Sequence, residues 1–409
     1  MAAAAALLAV VQGFRASLGL FVSPINTATG LGLAAVSFAL ATSQLASGVA
    51  QPLAGRLGER FGTARLIIGG ALASALSIAL VPALGSAAGL VVGFAVVAVA
   101  GTALGSAPVL VAAVLQRVPP QHRGRAAGIV GAGGSAGQLL LGPGAQAGIA
   151  HVGWTATLYG FAGLALAAGV LAGCFRRPGT GREDDPAPDE ATQRALHAER
   201  MAALRDRSFW CLAAGFFVCG FHVSFLLAHM PGFIATCGLP ASLSGAWLAI
   251  IGVCNVAGSI VAGLVVERVS PRLTLAVLYA LRGAVVLAFA AVPVTTQSVL
   301  VFSVAVGVTY MASLAPTTAV VEARFGARNV GVLFGLVMLL HQVGSFLGVW
   351  IGGEVLEATG SLAAMWLIDG ALAVLAALAC LFIRADGKTA WKRFSIVRPR
   401  RIVPRLAAS

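Results

Sequence analysis

A chain of 409 residues with 59% apolar residues, 10% charged residues and a mean hydropathy of +0.93 carries more apolar surface than a soluble core can cover, which excludes an ordinary water-soluble domain. The net charge of +13 would suit a nucleic-acid binder, but 25 of the 27 Lys and Arg residues lie in alternate connections between apolar stretches, at their flanks or in the tail. The charge therefore speaks for membrane topology, and nucleic acid is not an expected partner.

About 20 mainly apolar residues are needed to cross a bilayer as a helix, and twelve such stretches follow one another. The first, 3–25, has no basic residues before it and is interrupted by Arg15, so it reads as a membrane helix rather than a secretory leader. Arg15 shares one helical face with Gln12, Gly19, Val22 and Asn26. Spans 33–53 and 66–84 are joined by Gly55-xxx-Glu59-Arg60-x-Gly62-xx-Arg65. After 89–115 comes 126–150, where Gly131-Ala-Gly-Gly-Ser-Ala-Gly137 sits inside an apolar helix and reads as close packing through Gly133-xxx-Gly137, not as a nucleotide loop; Gln138 follows it. The sixth span is 155–175.

A polar stretch, 176–207, then reads as a cytoplasmic linker with a surface helix over 190–205. The seventh span, 208–236, carries Cys219, His222, Leu226, His229 and Phe233 on one face. Span 241–265 holds Asn255 and ends in Gly263-xxx-Glu267-Arg268-xxxx-Arg272. Spans 273–293, 297–323, 331–357 and 362–384 contribute Arg282, Tyr310, His341 with Gln342, and Asp369, and a basic tail occupies 385–409. The six cysteines read as small apolar fillers, and their spacing offers no metal or disulfide pattern.

Residues 11–24 reappear as 218–231 with six of fourteen positions identical, where about one is expected by chance. The Gly-Glu-Arg loops repeat at the same offset to within one residue, as do Thr102 and Ser106 with Thr309 and Ser313. The expected architecture is an all-α membrane protein of two six-helix bundles, 1–175 and 208–384, related by a pseudo-twofold axis along the membrane normal, with linker 176–207 and tail 385–409 in the cytoplasm. The odd-numbered connections contain no Lys or Arg, which predicts that both termini are cytoplasmic, in a cell inner membrane.

The loop Gly55-Arg-Leu-Gly-Glu-Arg-Phe-Gly-Thr-Ala-Arg65 resembles the signature between helices 2 and 3 of the major facilitator superfamily, with Glu59 where Asp is usual. Arg123-Gly-Arg-Ala-Ala-Gly128 is similar to the loop between helices 4 and 5 of that superfamily. Phe325-Gly-Ala-Arg328, Gly331, Phe334-Gly335, His341-Gln-Val-Gly344 and Gly153-Trp154 resemble its monocarboxylate and oxalate/formate porter branch, including the bacterial YcxA-like group. The resemblance implies alternating access, gating by the clusters Glu59, Arg60, Arg65 and Glu267, Arg268, Arg272, and a small organic acid carried with a proton.

The residues themselves favour an anion. Arg15 and Arg282 are the only basic groups deep in the apolar stretches, and a charge there is kept only for a reason. Arg15 reads as substrate binding or as half of a structural ion pair. The pseudo-twofold predicts that it faces His222 across a central cavity, with Gln12, Asn26, His229, Tyr310, His341, Gln342, Gln138 and Asn255 as further lining. Arg282 reads as a structural charge satisfied by Asp369, Glu354 or Tyr279.

The expectation is thus secondary transport of a small organic anion by a monomer. Export of a larger amphipathic or siderophore-like metabolite, and a ligand sensor built on a transport fold, remain as alternatives. No nucleophile-base arrangement points to an enzyme, and no cofactor or metal is expected.

Overall fold

The computed structural model describes residues 1–115, 117–119, 123–175, 190–326 and 329–384. Linker residues 176–189, the tail 385–409, the Glu59 side chain and Arg328 lie outside the described positions. In chain order the membrane helices are α1 (Ala2–Thr29), α2 (Leu33–Phe61), α3 (Thr63–Leu80), α4 (Ala87–Gly105 and Ala107–Leu115), α5 (Arg123–Val152) and α6 (Trp154–Gly169). The second series is α7 (Arg207–Thr236), α8 (Ser242–Val266), α9 (Pro271–Ala290), α10 (Thr296–Thr309 and Leu314–Phe325), α11 (Val330–Thr359) and α12 (Ala363–Leu381). A helix closes every backbone hydrogen bond within its own segment, which lipid demands.

Eleven of these helices, among the described residues, are long and apolar enough to cross a bilayer by themselves. The twelfth, α5, is diluted by glycine and glutamine. It packs along α1 on one side and α8 on the other. Turns between helices are short: Gly62 alone separates α2 from α3 at φ 88°, a left-handed conformation that a residue with a Cβ resists.

Two predicted spans, 89–115 and 297–323, prove to be broken helices. Ser106 is extended (φ −72°, ψ 142°) between the two parts of α4, and Tyr310–Ser313 form a turn between the parts of α10. In both, a proline lies in the first turn of the second part, Pro108 and Pro316, where a missing N–H costs nothing. The breaks fall at equivalent positions of the repeat.

Within each half, glycines let two helices touch backbone to backbone. A Cβ at Gly133 or Gly137 of α5 would strike the carbonyl of Ala5 or Ala9 on α1, and one at Gly344 or Gly348 of α11 would strike that of Phe217 or Phe221 on α7. Between the halves, α2 lies on α11 and α5 on α8.

This second seam is tight on the face of the odd-numbered connections. There the Ala34 N–H donates to Glu357 Oε2 at 2.7 Å, Phe38 packs edge-on to Phe346 and Trp350, and Gly19 of α1 sits against the backbone of Leu227 and Ala228 on α7. Near mid-depth it is polar: Gln342 Nε2 donates to the Gln44 carbonyl at 3.2 Å and Asn255 Nδ2 to Ser135 Oγ at 3.0 Å. Toward the Arg-rich face, Gly55 of α2, Gly131 of α5, Gly263 of α8 and Gly335 of α11 border open space. The halves are closed on the uncharged face and parted on the charged one.

A further helix, Glu190–Arg205, docks on the second half, against α7 and α10. Asn329 is held between Glu199 and Arg200, and Ala203 is buried. Just beyond, Asp206 caps α7 through the Ser208 N–H (2.8 Å) and pairs with Arg324 (2.6 Å). Partial burial pushes the Asp206 carboxyl up, but these two partners outweigh it and hold it below the ordinary aspartate value.

Candidate functional site

The site starts from one residue of α1. Arg15 lies at mid-span, shortly before the 3-10 turn Leu18–Phe21, and is half-buried. Its guanidinium donates to Gln44 Oε1 of α2, an uncharged acceptor. The whole stretch 1–175 contains one acidic residue, Glu59, at the far end of α2. Arg15 therefore has no carboxylate in its own half. Tyr310, from the break in α10, faces Arg15 and the Gln138 amide of α5, whose Oε1 is buried without a partner. Gln12, one turn before Arg15, lies over Gly134 of α5. Arg15, Gln12, Gln44, Gln138 and Tyr310 thus converge from both halves on one mid-membrane region.

Behind Tyr310 stands the second arginine. Arg282 of α9 is 2% exposed and donates to the Thr309 carbonyl, the Tyr310 carbonyl (2.6 Å) and Cys219 Sγ (3.0 Å). Those carbonyls are free because the helix breaks after Thr309, so the guanidinium replaces the N–H groups of the missing turn. The Tyr279 ring lies 5.5 Å below its charge. Of the partners expected from sequence, Tyr279 is in contact, Glu354 instead accepts from Trp350 Nε1 (2.9 Å), and Asp369 acts on Arg282 only through space. Cys219, expected to be an apolar filler, is a hydrogen-bond partner of both Arg282 and Ser313. His341 of α11 reaches Cys219 from the other side, stacks on Phe216 and bonds to Gln342 at 3.2 Å.

Several expectations are corrected. His222 does not face Arg15; its Nδ1 lies 2.6 Å from Asp369 Oδ2, turning it toward α12. His229 is tied to the Val349 carbonyl of α11 (2.9 Å) and stacks on Phe225, an interhelical clamp. Asn26 accepts from the Gly32 N–H (2.9 Å) and closes the turn after α1. Asn255 bridges Ser135 of α5 and the Met311 N–H (3.1 Å), which makes it a brace of the α10 break. Gln342 is a seam residue, packed on Gly48 of α2.

At the charged face, Arg60, Arg65, Glu267 and Arg268 are exposed. No ion pair joins Glu267 to Arg268 among the described residues, and Arg272 donates to the Ile383 carbonyl (3.1 Å). Among the described residues, no ion pair joins the two clusters. Sequence reasoning passed over Gln44 and Glu357 and took Cys219 for a filler. An amide within span 2, one of two with Gln51, and a carboxylate near the end of span 11 were the available signals.

A family model described as Major Facilitator Superfamily matches residues 4–349 and 256–408. The chain is 23% identical over 357 residues to an "Uncharacterized MFS-type transporter YcxA" of Bacillus subtilis (strain 168), covering 85% of this chain and 86% of that one. Among solved structures it resembles a D-xylose-proton symporter with a TM-score of 0.70 at 17% identity, over 94% of this chain and 97% of the other.

Proposed function

The chain belongs to the major facilitator superfamily, and on that premise we propose that it is a secondary transporter that moves a small organic anion by alternating access, together with a proton. The observation that carries this reading is Arg15: a half-buried, mid-membrane guanidinium whose hydrogen-bond partner is an amide rather than a carboxylate. A planar fork of donors beside the Tyr310 hydroxyl and the Gln138 amide suits a carboxylate, which accepts two parallel hydrogen bonds from guanidinium. The positive-inside distribution supports a cytoplasmic charged face and cytoplasmic termini in a cell inner membrane, hence an inward-facing state here; we take one chain to be the transporting unit.

The test is counterflow of radiolabelled lactate in proteoliposomes holding the purified protein. Wild type is expected to exchange lactate, Arg15→Lys to bind it more weakly, and Arg15→Gln more weakly still. Uptake of a neutral sugar that ignores these substitutions would overturn the anion reading. Lactate binding with no exchange would favour a sensor. For topology, an impermeant maleimide should label Ser361→Cys in intact cells but not Ala195→Cys on the connecting helix; the reverse pattern would invert the assignment.

A further inference from the structure

Resting on the proton-coupled reading above, we propose that the buried His222–Asp369 pair is the proton-binding site, and that Arg282 and the break in α10 convey its charge state to the anion site at Arg15. The two side chains are 2% and 0% exposed, their near atoms are 2.6 Å apart, and His222 Nε2 and Asp369 Oδ1 have no hydrogen-bond partner. With Nδ1–H donated to the carboxylate, the lone pair of Nε2 is left unused, which is the arrangement of a base held in one tautomer. A proton taken up there from hydronium forms one N–H bond at Nε2 as one O–H bond of the hydronium breaks, releasing water.

The groups surrounding the pair fix the sign of the coupling. On the helices that carry and flank the pair, the titratable groups include Cys219 and His229 of α7, Arg282 and Tyr279 of α9, Tyr310 of α10, His341 of α11 and Cys380 of α12, and of these Arg282 acts on Asp369 through space. The formal charges are those of Asp369 and Arg282, which cancel while His222 is neutral. Protonation leaves one positive charge over, in a region of low dielectric that magnifies it. An anion beside Arg15 offsets that charge, so proton and anion favour each other, and reciprocity makes each raise the affinity of the other.

A contiguous set of contacts joins the two sites. Cys219 lies one turn before His222 on α7 and accepts from Arg282. Arg282 holds the carbonyls of Thr309 and Tyr310, and the Tyr310 side chain faces Arg15 and Gln138.

Lactate affinity of the purified protein, measured from pH 8 to pH 6, decides the matter. In wild type it should tighten by about tenfold per pH unit over the range where one proton accompanies each anion. His222→Gln cannot take the proton and should stay at the weak, high-pH affinity throughout. Asp369→Asn removes the cancelling negative charge and should stay at the tight, low-pH affinity. A purely structural pair would weaken binding in both and leave the pH slope alone, so a preserved slope in either variant overturns the proposal.

If Asp369→Asn does not fold, Asp369→Glu should move the midpoint of the pH profile, and an unmoved midpoint overturns it equally. A wild type that binds lactate with no pH dependence refutes proton coupling while leaving the anion reading intact. A wild type that binds no lactate removes the anion reading. Infrared difference spectra on acidification then decide the proton site, since the absence of a histidine band that His222→Gln abolishes overturns it.

Discussion

The two halves each bury an arginine in the membrane and treat its charge differently. In the second half Arg282 is saturated: two carbonyls of a broken helix, a thiol and a tyrosine ring surround it, and a neighbouring histidine–aspartate pair supplies a compensating charge. In the first half, among the described residues, no such cation meets the equivalent break at Ser106; the position corresponding to Arg282 is Ala75, and the Ser106 hydroxyl is left without a partner. The arginine of that half, Arg15, sits on another helix and meets an amide. A duplicated scaffold thus carries one charge that is bound into the fold and one that is left available, and availability is what a binding site needs.

The comparison breaks most directly on stability. Arg282→Leu frees two buried carbonyls and leaves Asp369 uncancelled, so it should cost about 3–5 kcal/mol, while Arg15→Leu should cost under about 1 kcal/mol. Thermal unfolding in detergent, monitored side by side, measures both, and equal losses would erase the distinction. Affinity reverses the ranking. Arg15→Gln should weaken lactate by about 1.5–3 kcal/mol, roughly ten- to a hundredfold, because a hydrogen bond to a charged group is lost.

A smaller effect concerns the seam. Gly19→Val would drive a side chain into the backbone of Leu227 and Ala228, and overpacking of this kind costs about 1–3 kcal/mol in the closed state. The population should shift toward opening on the uncharged face, read as faster labelling of Ala34→Cys; unchanged labelling would mean that Gly19 does not govern closure. Smallest is the Asp206–Arg324 pair. Because the folded carboxyl titrates below its ordinary value, its contribution is present above the unfolded aspartate pKa and disappears as pH falls through the depressed folded one. Asp206→Asn should cost at most about 1 kcal/mol at neutral pH and nothing in strong acid, since the pair is partly exposed. A pH-independent difference would point to packing instead.

The helices were legible because lipid permits few alternatives: an apolar run of sufficient length has to be a helix. The breaks were not, since hydropathy runs unchanged through Ser106 and Tyr310 and the interruption is a backbone event. Arg15 stood out as a lone charge in an apolar run. The partner of His222 did not, because the pseudo-twofold predicts the direction of a face only while both halves keep the same neighbours, and Asp369, 147 residues away, captures the imidazole. Asn26 was assigned by its helical face, but at a helix end the backbone claims an amide first. Cys219 looked apolar in isolation and became polar through Arg282, 63 residues on.

Mechanically, the paired breaks make two hinges of unequal compliance. The one in α10 is cross-braced by Arg282 and Asn255, so bending it stretches several hydrogen bonds at once. The one in α4 carries no such brace from a buried cation. When the halves rock, deformation collects in the softer element, so the elastic strain of each cycle falls on the half that carries Arg15. The stiff half keeps the His222–Asp369 pair in constant geometry.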